Sequence, residues 1–177
     1  MLEKLKGLFV KNKIENPIDV IGFCMGDICN MLLSHFSKEY YKWEETKGVK
    51  TFECLVLSKF IIDHVLLTSF IEKIDETRIK FYLEMVNVVF KTILETTLKD
   101  SQLTHDALKD TIINRLVMYS DALTENPHPA CWQKITGICT GIDYHTQKDL
   151  YTLVSASTML PELLKHAQDT LKLLIKQ

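Results

Sequence analysis

With 177 residues, 46% of them apolar and 25% charged, the chain is long enough to bury one proper core and too apolar for a disordered polymer. Its 21 basic and 23 acidic groups leave a formal charge of −2. Such a balance gathers no phosphates, so nucleic acid is not an expected partner.

Residues 1–13 read as a short amphipathic arm, with Leu2, Leu5, Leu8 and Phe9 apolar and Lys4 and Lys11 beside them. The arm lacks the apolar stretch and small-residue cleavage site of a secretory signal. It is expected to pack over the fold or against another subunit, with contact to a membrane surface as the weaker alternative. Asn16-Pro17 then supplies a helix start: asparagine as the cap, proline in the first turn and Asp19 just behind it. The helix is expected to run to about Glu45 and stop at Lys47-Gly48. A third helix follows over Thr51–Lys73 and a fourth over Asp75–Lys99. The fourth is cleanly two-sided, with Glu76, Lys80, Glu84, Asn87, Lys91 and Glu95 opposite Ile79, Tyr82, Val86, Val89 and Ile93.

Thr104 caps the fifth helix, with Leu103 placed to staple onto Leu108, and its end is expected near Leu123. Asn126-Pro127 repeats the earlier start signal and opens a shorter helix reaching Thr140, where Gly141 stops it. Thr146 and Asp149 form an entry resembling a capping box for a last helix that reaches nearly to Lys176. Pro161 inside that stretch predicts a kink or break near Ser157–Leu160. No run of period-two alternation interrupts these patterns. The expected fold is therefore all-α: one domain over residues 1–177, an antiparallel bundle of six or seven helices. The most hydrophobic segment, Phe52–Ile74, is broken by Lys59, Asp63, His64, Glu72 and Lys73, so no membrane span is expected.

The third helix presents no clean polar face at 100° per residue, which marks a helix buried on most sides. Lys59 and Asp63 lie one turn apart on an arc shared with Phe52, Leu55, Val56, Leu66 and Phe70. Buried charges must pair or neutralise. Either these two pair with each other, or Lys59 stretches its ammonium to solvent, or they line a pocket in which Lys59, Asp63 and the neighbouring His64 hold a ligand. His64 itself points about 100° away from Asp63. Glu39 with His35, and Glu162 with His166, have the one-turn spacing of helical metal ligands, but surface helices produce such pairs constantly, and no metal or cofactor is expected. Phosphate-binding glycine loops, GxSxG and HExxH are absent. The five cysteines have irregular spacing without a CxxC pair, which fits reduced thiols in a cytoplasmic protein.

Two features suggest contact with other proteins. Phe23 and Tyr41 fall on the otherwise polar side of the second helix, and the run from Asn126 to Trp132 carries His128 and Trp132 in an unusual loop-like composition. The sequence thus reads as a non-enzymatic helical-bundle interaction protein that forms a homo-oligomer or takes a protein partner. The alternative is a carrier or sensor holding a small apolar or amphipathic ligand in the bundle core near Lys59 and Asp63.

Overall fold

A computed structural model describes residues 16–39, 47–99, 104–125, 130–141 and 147–175. They form six helices: α1 (Pro17–Glu39), α2 (Lys47–Ser69), α3 (Glu76–Thr97), α4 (His105–Glu125), α5 (Ala130–Thr140) and α6 (Gln147–Leu171). A 3-10 turn, Lys172–Leu174, follows. Among the described residues there is no strand, and the all-α bundle expected from periodicity is the fold.

Local chemistry sets most of the helix ends. Asn16 accepts from the Ile18 backbone N–H through its side chain at 3.0 Å, and its carbonyl accepts from Asp19 and Val20. Asp75, in extended backbone, caps α3 by accepting from Arg78 N at 2.9 Å. Thr104 Oγ1 accepts from Ala107 N at the start of α4. Gly141 closes α5 with a φ of +71°, a left-handed conformation that glycine adopts without a Cβ clash. In α6, Pro161 lies inside the helix. It withholds one backbone donor, so the ladder is a bond short there.

Two expected boundaries are corrected. Lys47-Gly48 does not stop a helix but opens α2. A glycine costs a helix only about 1 kcal/mol relative to alanine, and the apolar run behind it outweighs that. At its other end α2 stops at Ser69 rather than Lys73, because Phe70 O takes the N–H groups of Lys73 and Ile74 in a tight turn. The arm at 1–13, the run to Glu45, Leu103, the Asn126-Pro127 start and Thr146 lie outside the described residues.

The core is built around α2, which packs against α1, α3, α4, α5 and α6. Every residue from Phe52 to Ile62 is buried, so this helix spends its whole circumference inside. α1 contributes Val20, Ile21, Cys24, Met25, Ile28, Leu32 and Phe36 to the same core. That helix also corrects a reading from sequence. Pro17–Phe36 is long and apolar enough to cross a membrane by length and composition, since Asp19 and Asp27 are its only acidic or basic side chains apart from His35. Here its apolar side faces the other helices. Gly22 lies against α3, where an added Cβ would meet Val89 Cγ1 at 3.8 Å, an ordinary contact. α4 buries less, with Ile112, Tyr119 and Ala122 as its buried residues.

Candidate functional site

The charged pair on α2 is brought together. Lys59 Nζ donates to Asp63 Oδ2 across one helical turn, and both side chains are largely withdrawn from water, at 10% and 20% exposure. Burial pushes the Asp63 carboxyl above its usual range even though the Lys59 ammonium and its hydrogen bond pull the other way. Its second oxygen, Oδ1, is buried without a hydrogen-bond partner among the described residues. The pair is therefore half satisfied. One carboxylate oxygen is matched and the other has no hydrogen bond among the described residues.

His64 does not join it. The imidazole stacks on Phe60, with ring centroids 6.0 Å apart and planes 23° from parallel. Partial burial lowers its pKa, since desolvation disfavours the imidazolium. Phe60 in turn meets Tyr119 of α4 at 5.3 Å. The His64 ring thus belongs to an aromatic contact reaching from α2 to α4, about a quarter turn away from Lys59 and Asp63 as helix geometry requires.

A second polar group of α2 was missed in the sequence because its partners are remote. Glu53 is 7% exposed and receives a forked contact from Arg115 of α4, with Nε at 2.9 and 3.0 Å from its two oxygens and Nη2 at 2.8 Å. Close to it, one turn along, Ser58 Oγ donates to Cys54 O at 2.6 Å. The Cys29 thiol of α1 meets Ser58, and the Cys139 thiol of α5 meets Cys54. Tyr119 completes this seam. It is wholly buried, its hydroxyl makes no conventional hydrogen bond among the described residues, and it faces the Cys139 thiol. Four helices thus meet along a strip of weakly polar side chains.

The strip has little reactive chemistry. Burial pushes the Cys24 and Cys29 thiols up to about 12 and the Cys54 thiol well above its ordinary value. A protonated thiol is a poor nucleophile and a poor metal ligand. Among the described residues no group of three or more His, Cys, Asp or Glu side chains could hold a metal ion. Of the two helical metal pairs considered in the sequence, His166 instead approaches Asp27 of α1, 3.6 Å from Nε2 to Oδ2.

The expected contact residues fare differently. Phe23 is half-buried on α1. Tyr41 and His128 lie outside the described residues. Trp132 is 5% exposed and part of the bundle core, where it packs as an anchor for α5. A loop-like composition before a helix carries no information about which way the following indole turns. The exposed large apolar side chains lie elsewhere, with Phe81 (49%) and Val88 (59%) on α3 and Ile113 and Val117 on α4.

Comparison with protein-family models, with curated proteins and with solved structures found no match.

Proposed function

We propose that this chain is a non-enzymatic interaction protein of the cytoplasm, a helical bundle that associates with copies of itself. The supporting observation is the contrast between its interior and its surface. Inside, several groups that could act on a substrate are turned towards one another: Lys59 to Asp63, Arg115 to Glu53, Cys29 to Ser58 and Cys54 to Cys139. Outside, Phe81 and Val88 stand on the outer face of α3 with half-buried Met85 between them. An apolar row at helical spacing on a well-packed helix is what a partner would cover. Five free, buried cysteines suit a reducing compartment. Sedimentation equilibrium over a wide concentration range tests the reading. A mass that rises with concentration towards a multiple of the 20.5 kDa chain supports it, and a constant monomer mass removes it.

One observation favours a second reading, in which the core carries a small amphipathic ligand. The buried Oδ1 of Asp63, without a hydrogen-bond partner among the described residues, is where such a ligand would find an acceptor. Native mass spectrometry of the freshly purified protein decides it: a retained mass lost in Asp63→Asn supports the carrier, and a bare chain mass removes it.

A further inference from the structure

The outer face of α3 has a symmetry that its inner face lacks. Phe81, Met85, Val88 and Thr92 follow one another at steps of four, three and four residues, the spacing of a seam between two helices. Thr92 donates its hydroxyl to Val88 O at 2.9 Å, so covering this row with another apolar surface strands no hydroxyl donor. The exposed charges beside the row are ordered about its middle. Outward from the Asn87-Val88 midpoint, one direction gives Glu84 and Lys80, and the other gives Lys91 and Glu95. At each matching distance an acid stands opposite a base.

A helix with that pattern is complementary to itself when reversed. We infer that two copies of the chain pair through α3, antiparallel, about a twofold axis close to Asn87. Met85 of each copy then packs beside Val88 of the other, and Phe81 beside Thr92. In antiparallel helix pairs the residues on one flank of the seam meet the same flank of the partner, which sets each Glu84 against the other copy's Lys91. Lys91 is 3.9 Å from Glu95 within its own helix, a contact at the limit of ion pairing that leaves its ammonium open to a closer carboxylate. A twofold contact of this kind uses the same patch on both copies and closes at two, so it yields a dimer rather than a filament. The inference rests on the self-association reading and specifies its surface.

Charge reversal tests the geometry. Glu84→Lys puts lysine against lysine twice per dimer, and Lys91→Glu does the same with carboxylates. Each single variant should raise the dimer Kd about tenfold, and the double variant should return it to within about threefold of the parent, measured by sedimentation velocity. Both sites are exposed, and far-ultraviolet circular dichroism at the working temperature checks that each of the three variants remains folded. Val88→Cys supplies an independent reading, because the five native thiols are buried while residue 88 is 59% exposed. A short bis-maleimide should link it to its own copy and give a species of twice the chain mass. A dimer that tolerates both single reversals, or that fails to link at residue 88, overturns the α3 geometry and leaves self-association standing. A parent chain that stays monomeric at every concentration overturns both. A monomeric product in which residue 88 is linked by a thiol-to-amine reagent to the lysines of residues 1–15 would assign this face to the chain's own leading segment and overturn the dimer.

Discussion

Lys59 and Asp63 show how a buried pair can be easy to detect and weak in effect. Withdrawing two ions from water costs several kcal/mol each, and one salt bridge repays it poorly when Oδ1 stays unmatched. Removing one partner is worse. Asp63→Ala should destabilise the fold by about 3 to 5 kcal/mol in urea unfolding, because it leaves an ammonium inside with nothing to face. Replacing both, as in Lys59→Met with Asp63→Leu, should return stability to that of the parent or above it. The neighbouring His64 supplies a pH dependence. Its folded pKa lies below its ordinary 6.5 because burial opposes the charged form. The unfolded chain therefore binds the proton more readily, and stability present above pH 6.5 is lost as the pH falls through the folded value. His64→Phe should flatten that part of the stability profile while keeping the stack on Phe60. These residues were legible in the sequence because partners four positions apart share a helix face whatever the fold.

At the level of helices, the informative contacts join elements remote in sequence. Arg115 of α4 reaches Glu53 of α2, and Tyr82 and Arg78 of α3 both donate to Leu174 O, tying the last turn of the chain back to the bundle. Glu53 is almost fully enclosed, so Arg115→Ala should cost about 3 kcal/mol in chemical unfolding, most of it the penalty of a stranded carboxylate. Arg115→Lys should recover only part of this, since an ammonium cannot reproduce the forked contact. Asp75, Thr104 and Gly141 were readable as helix ends because their capping involves atoms within a few residues. The start of α2 was not, because Lys47-Gly48 reads locally as a helix stop and yet opens a helix.

For the molecule as a whole, the five cysteines report on cooperativity. They come from α1, α2 and α5, and all are buried and free. The native protein should react with an aromatic disulfide reagent only at the rate of unfolding, and all five thiols should then appear together in denaturant. Prompt reaction of one thiol at neutral pH would show that its helix opens separately. Trp132 of α5 is buried in the same core.

Helical class, approximate number of helices and the Lys59–Asp63 conflict followed from the sequence alone, since each depends on periodicity or on neighbours within one or two turns. The Glu53–Arg115 fork, the seam of Cys29, Cys54, Tyr119 and Cys139, the inward turn of Trp132 and the exposed row on α3 were decided only when the helices packed. Which residues meet across tens of positions depends on the rotation of one helix against another, and that rotation is set by the summed fit of the whole core.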